Sequence, residues 1–314
     1  MNSLGMVFPG QGSQYIGMGQ DLYNTSEAAR RIFTEAGDIL DRDMAALCFE
    51  GPREALDTTT NTQVAILTVS IAALKALEDE IDLRPVAMAG HSLGEYSALC
   101  AAGALSLADA LRIVRARAGH QQEAVPPGVG CMTAIMGLDE ASVTSVCREI
   151  NGKDGMVVEM ANVNSPSQYV ISGHTEAVEK AVEHAKDRGA KRGIKLPVSV
   201  PFHCSLLTGA AEKFKQDLGA IEISDCTTAV IPNCDPSREH RSDTTRELLE
   251  RQLYSPVRWQ ETIERMARMG ITTIVEVGPK RVLSGLIKRI DSTIEVMNVE
   301  DTDSLREAVQ ALGS

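Results

Sequence analysis

The chain predicts an α/β protein: a large domain on a mainly parallel sheet, interrupted by a small inserted β-α-β-β-α-β domain. Three observations carry that expectation. Short apolar strands alternate with longer helical patterns toward both ends of the chain, a sharp strand-to-helix turn is written at GHSLG (90–94), and the texture changes at PPGVG (126–130). The expected divisions are 1–127 for the first part of the large domain, 128–198 for the small domain and 199–314 for the second part.

Taken in order, LGMVF (4–8) is a short strand that breaks at Pro9 and enters the glycine-rich PGQGSQ (9–14). Such a loop places backbone N–H groups at the carboxyl edge of a sheet, where ligands bind in open α/β folds. VAILTVSIAALKAL (64–77) is apolar almost all round, as a buried helix is. VAMA (86–89) reads as a strand, and Leu93, Tyr96, Leu99 and Cys100 fall at helical spacing after it. SLADALRIVRARAGHQQEAV (106–125) opens with Ser106 as N-cap and continues as an amphipathic helix carrying Arg112, Arg115 and Arg117. The inserted series is strand 131–137, helix 139–150, strands 156–163 and 168–173, helix 176–189 and strand 191–198, the order of a ferredoxin-like unit. Longer alternation then returns: helix 207–219, strand 229–233, helix 260–270, strand 272–278, helix 281–290, strand 294–299 and helix 304–312.

Composition narrows the function classes. Net charge is -12, from 31 basic against 43 acidic side chains, which argues against nonspecific nucleic-acid binding because phosphate neutralisation needs a basic surface. Seven cysteines are scattered without C-x-x-C spacing, so neither a disulfide framework nor a metal site is suggested. No stretch reads as an uninterrupted membrane span, and MNSLGMVFPG lacks the basic and hydrophobic regions of a signal peptide, so a cytoplasmic protein with no membrane partner is expected.

GHSLG is the candidate for chemistry. Flanking glycines permit a tight, strained turn, so Ser92 stands exposed over the sheet edge while a new helix aims its N-terminal N–H groups at the same space. With that nucleophile elbow the large domain reads as α/β-hydrolase-like. A serine hydroxyl needs a base to take its proton, and histidine suits the work. His91 neighbours the serine but points elsewhere from the elbow, and a structural hydrogen bond is expected of it. His120, His174, His184 and His240 read as surface or packing residues. His203 differs: in PVSVPFHCSLL (197–207) a strand ending at Pro201 delivers it near the re-entry into the large domain, where catalytic groups collect. No carboxylate stands out as a third member, and a backbone carbonyl could serve instead.

FPGQGSQ (8–14), GHSLGEYSAL (90–99), Arg117 followed by QEAVPPG (122–128), NSPSQYVISG (164–173), KLPVSVPFH (195–203), RQLYSPVRW (251–259) and EVGPKRVLSGLIKRI (276–290) occur in that order and span nearly the whole chain. Together they resemble the malonyl-CoA:acyl carrier protein transacylases of bacterial fatty-acid synthesis. The resemblance implies that Ser92 becomes malonylated and that His203 is general base and acid. It implies further that the Gln252 backbone carbonyl orients the imidazole, that the N–H groups of Gln11 and Leu93 form the oxyanion hole, and that Arg117 grips the malonyl carboxylate. Read from the residues alone, Arg117 is one cation on a basic helix face beside Arg112 and Arg115.

The implied partners are malonyl-CoA and acyl carrier protein, with a monomer as the working unit. No cofactor is bound; the coenzyme A thioester and the partner's phosphopantetheine arm supply the reacting sulfur. Because carrier proteins are acidic, docking needs local positive charge, for which Lys191, Arg192, Lys288 and Arg289 are candidates among the basic residues 186–195 and 280–289. Phe202 resembles the malonyl-selecting form of related acyltransferases. The chain departs from the family pattern at Lys280 and Ala118, where glycines are usual. Two enzymes share the elbow and stay open here, a serine hydrolase acting on thioesters and a polyketide acyltransferase working in trans. A noncatalytic module on the same fold is disfavoured by the intact Gln11, Ser92, Arg117 and His203.

Overall fold

The computed structural model describes residues 3–198 and 200–313. Its nine strands among those residues are β1 (Leu4–Phe8), β2 (Ala87–Gly90), β3 (Gly130–Met136), β4 (Val158–Ser165), β5 (Gln168–His174), β6 (Arg192–Lys195), β7 (Ala229–Ile231), β8 (Thr273–Val277) and β9 (Glu295–Val299). They form two sheets. One has five strands in the order β7-β2-β1-β8-β9 with every neighbouring pair parallel. The other has four in the order β4-β5-β3-β6 with every neighbouring pair antiparallel.

Alternation along each strand sorts its side chains between two cores. In β1, Met6 and Phe8 join the larger core with the Thr59–Glu80 helix, while Val7 turns to the opposite face, against Trp259, Ile263, Leu286 and Ile287. Those last four belong to the Trp259–Arg268 and Val282–Ile290 helices, so helices cover both faces of the parallel sheet. The Thr59–Glu80 helix is buried on nearly every side, which explains its lack of a polar face. By length and mean hydropathy its 22 residues could cross a bilayer, but 83% of its apolar window lies inside the fold, where it serves as the central core helix.

The antiparallel sheet has its own core. Cys131, Ile135 and Ile171 pack on the Glu140–Ile150 and Thr175–Asp187 helices. The other face presents Met132, Ala134 and Val170 to Val200, Phe202 and Leu207, across the opening above the parallel sheet. A parallel bridge between Asn162 and Val257 ties the two layers, with Val163 N–H donating to Val257 O and Val257 N–H to Ala161 O, both at 2.9 Å.

Several elements differ from the sequence reading. The strand expected at 191–198 is confined to Arg192–Lys195, and the strand expected to run to Pro201 is irregular chain; Ser199, inside that segment, lies outside the described residues. Pro197 and Pro201 have no N–H to give a ladder, which accounts for the break. The strand expected at 229–233 stops at Ile231, before Pro232. Helices Gln20–Thr25, Glu27–Leu40, Met44–Phe49, Arg53–Leu56 and Thr245–Gln252 complete the large layer and correspond to nothing in the sequence reading. Met1 and Asn2, the start of the segment read for a signal peptide, also lie outside the described residues.

Candidate active site

Because β1, β2, β7 and β8 are parallel, their carboxyl ends share one edge, and the loops leaving them converge there. β2 leads into the elbow. Ser92 sits at its apex with φ 51°, in left-handed backbone that costs a non-glycine residue on the order of 1–3 kcal/mol. Glycine is required on both sides for lack of room. A Cβ on Gly90 would lie 1.9 Å from the Gly94 backbone, and one on Gly94 would lie 2.0 Å from the Phe8 carbonyl oxygen. The Gly94–Ala101 helix begins immediately after the turn.

His203 also has a left-handed backbone, φ 59°, and is buried. The packing of Val200 and Phe202 beneath the antiparallel sheet brings it over the elbow. Its Nε2 lies 2.8 Å from Ser92 Oγ and its Nδ1 lies 2.8 Å from the Gln252 carbonyl oxygen. A carbonyl oxygen only accepts, so Nδ1 carries the proton and Nε2 is free to accept from the serine. Burial first, and the positive charge of Arg117 second, lower the imidazole from its ordinary 6.5 to about 3, so at physiological pH it is neutral, with Nε2 unprotonated.

Arg117 comes from the Leu107–Ala124 helix, whose cap is the Ser106 hydroxyl accepting from Asp109 N–H. Arg112 faces outward, whereas Arg117 is 1% exposed. Its guanidinium donates to Ser92 Oγ at 3.1 Å, Gln252 Oε1 at 2.9 Å, Gln63 Oε1 at 2.8 Å and Gln121 Oε1 at 3.2 Å. All four acceptors are neutral. A buried guanidinium whose acceptors are neutral has the donor geometry and the charge to bind a carboxylate.

Gln11 and Leu93 line the same cleft, a cavity of about 260 Å³ whose walls also include Met132, Val170, Phe202 and Leu286. His91 lines it too, but its ring turns away from the nucleophile and donates from Nε2 to Asn164 Oδ1 at 2.8 Å. His120 pairs with Asp217, His174 Nδ1 accepts from Val157 N–H, His184 lies near Glu149, and His240 is buried against Glu95. Three of the four docking candidates, Lys191, Arg192 and Arg289, lie about one end of the antiparallel sheet, where Met136 stands opposite both Arg192 and Gln168. Lys191 packs its stem over Gly137, Arg192 sits opposite Met136 at the sheet margin, and Lys288 donates to the Ile294 carbonyl. Arg289 alone of the four hydrogen-bonds a residue of the cleft wall, Gln168, at 2.7 Å among the described residues.

Several site residues escaped the sequence reading. Asn233 holds the elbow from behind, accepting from Ser92 N–H and donating to the Gly90 carbonyl, each at 2.7 Å. Gln63 and Gln121 hold Arg117, and each left a readable trace: Gln63 stands directly before the apolar run 64–77, and Gln121 stands four residues after Arg117 on one helix face. Asn233 left none, since its role depends on β7 lying beside β2.

A family profile described as acyl transferase domain matches residues 6–305. The chain belongs to that family. It is 46% identical over 312 residues to the malonyl CoA-acyl carrier protein transacylase of Bacillus subtilis (strain 168), covering 99% of this chain and 98% of the relative. The protein of that name from Escherichia coli (strain K12) is 44% identical over 310 residues, covering 99% and 100%. Among solved structures, the malonyl CoA-acyl carrier protein transacylase of Coxiella burnetii superposes with a TM-score of 0.97 at 43% identity, over 100% of this chain and 98% of that one. A malonyl-transacylase in complex with its type II PKS acyl-carrier protein superposes with a TM-score of 0.96 at 44% identity, over 98% and 99%. The protein is thus an acyltransferase, and its serine, histidine and arginine meet in one cleft.

Proposed function

We propose that this acyltransferase moves the malonyl group from malonyl-CoA to the phosphopantetheine thiol of acyl carrier protein through a malonyl-Ser92 ester, supplying fatty-acid elongation. The observation that carries it is Arg117: a buried guanidinium 3.1 Å from the nucleophile, hydrogen-bonded only to neutral oxygens among the described residues, matches an acyl group that ends in a carboxylate.

In the first half-reaction, His203 Nε2 takes the Ser92 proton as Oγ attacks the thioester carbonyl. The developing oxyanion is held by the Gln11 and Leu93 N–H groups, each lowering the barrier by about 3 kcal/mol. Collapse expels the coenzyme A thiolate, which takes the proton from His203 and leaves as the thiol. In the second, His203 accepts the proton of the carrier's thiol, the sulfur attacks the ester, and Oγ leaves with that proton restored. The Gln252 carbonyl keeps the imidazole in one tautomer throughout, the task an acid performs in a usual triad. Arg117 anchors the far end of the acyl group, so the reacting carbonyl lies where both attacks can reach it. Phe202, buried in the cleft wall, crowds an α-methyl substituent and favours unsubstituted malonyl. No bound metal or redox group enters these steps.

The finer architecture is part of the same reading. Residues 1–127 and 199–314 form an α/β-hydrolase-like large domain, and 128–198 form a ferredoxin-like insertion, supported by the strand order β4-β5-β3-β6. The enzyme works in the cytoplasm as a monomer, away from membranes and nucleic acid, and Lys191, Arg192, Lys288 and Arg289 dock the acidic carrier. The test is release of free coenzyme A from malonyl-CoA with no acceptor present. One equivalent per chain, followed by turnover only on adding holo-carrier protein, is expected; sustained release without carrier would make the protein a thioester hydrolase.

A further inference from the structure

Glu95 lies in the first turn of the helix that follows the elbow, and its side chain has no exposed surface. A buried carboxylate is costly unless its lone pairs are used. Glu95 Oε1 accepts from His240 Nε2 at 2.8 Å, and Oε2 accepts from Asn233 N–H at 2.8 Å and from Gln252 Nε2 at 2.9 Å. Two of these donors support the reacting groups. Asn233 clamps the elbow through Ser92 N–H, and the Gln252 amide spans from the Ser92 carbonyl to Arg117.

The two ends of a glutamine amide have nearly the same shape, so its neighbours decide which end faces which way. Gln252 Nε2 meets two acceptors, the Ser92 carbonyl and Glu95 Oε2, each at 2.9 Å, while its Oε1 meets the Arg117 N–H at 2.9 Å. Turned over, the amide would set N–H against N–H and oxygen against two oxygens. An ionised carboxylate can only accept, so it admits one orientation. A neutral side chain of the same shape can donate as well as accept, so it weakens one of the three partners that favour this orientation and leaves the Ser92 carbonyl and Arg117 to hold it.

We propose that Glu95 is a positioning residue of the transfer reaction: together with the Ser92 carbonyl, its carboxylate holds the Gln252 amide that supports Arg117, and it clamps Asn233 behind the elbow. Glu95 touches none of the reacting atoms, and the proposal rests on the malonyl-transfer reading for the group that Arg117 receives. The experiment compares Glu95→Gln with the native chain and places it in an Arg117→Ala background, with the folded fraction of each taken from thermal unfolding. Glu95→Gln is expected to lower kcat/KM for malonyl-CoA about tenfold or more and to narrow the preference for malonyl over acetyl. In the Arg117→Ala background it should narrow that preference no further. An unchanged preference in folded Glu95→Gln, or an equal change with and without Arg117, overturns the proposal. If Glu95→Gln does not fold, Gln252→Met removes the amide while keeping the backbone carbonyl on His203, and an unchanged preference there overturns it equally. Labelling of Ser92 by a fluorophosphonate separates this proposal from the malonyl reading. A native chain that labels but takes no malonyl refutes the reading alone, and Glu95 is then judged by labelling, slowed about tenfold in Glu95→Gln if it positions the elbow and unchanged if it does not.

Discussion

Arg117 sets two properties of the site at once, because its charge faces both the nucleophile and the imidazole. Removing it should cost malonyl-CoA kcat/KM about 2–5 kcal/mol, roughly 30-fold or more, while acetyl transfer falls far less. Competition kinetics with Arg117→Ala measures this, and a retained malonyl preference would place the carboxylate elsewhere. The same charge governs pH dependence. Burial and Arg117 lower the His203 pKa to about 3 from 6.5, so the free enzyme's kcat/KM should hold as pH falls through 6.5, where an ordinary histidine would protonate. A cation disfavours the imidazolium, so removing or neutralising it raises the His203 pKa. The acid limb in Arg117→Ala should therefore move upward, and the acyl-enzyme, with Arg117 paired to malonyl, should show its acid limb above that of the free enzyme. Limbs that coincide in all three would contradict the coupling between Arg117 and His203.

The strand-elbow-helix unit tolerates no Cβ at its glycines, since what a side chain would meet there is backbone that cannot step aside. Gly94→Ala should cost about 3 kcal/mol or more in chemical denaturation and abolish activity. Ser106→Ala, which removes the cap of the helix carrying Arg117, should cost only about 1 kcal/mol and leave kcat intact, because Arg117 lies well inside that helix. These two elements were legible because their signals are local: glycines at a turn, a cap before a periodic run. The Glu27–Leu40 helix, which the sequence reading passed over, was legible by the same kind of signal, with Ser26 capping it and Ala29, Ile32, Phe33, Ala36 and Leu40 on one face. The Thr245–Gln252 helix was not, because only Thr245, Leu248, Leu249 and Gln252 are buried in a mostly charged stretch. The segment before His203 misled for a physical reason. Its alternating apolar residues mimic a strand, while two prolines deny it a ladder and burial of Val200 and Phe202 satisfies the same pattern.

Between the two layers, the reacting groups come from segments remote in sequence, and their meeting is a tertiary fact. Ser92, His203 and Arg117 could be named from local pattern and family resemblance, whereas the Glu95, Asn233 and Gln252 side-chain contacts appear only when β7 and the Thr245–Gln252 helix are seated beside the elbow. Surface charge belongs to this level too. Against a net charge of -12, reversing Lys191, Arg192, Lys288 and Arg289 together to Glu should raise KM for carrier protein about tenfold and leave Ser92 malonylation unchanged. An unaltered carrier KM would move docking to another face. The most direct measurement is peptide-resolved mass spectrometry after brief exposure to malonyl-CoA. A single malonyl ester on Ser92 is expected, absent in Ser92→Ala and discharged on adding holo-carrier protein. A native chain that stays unmodified, or carries malonyl at another residue, would contradict the acyl-serine pathway.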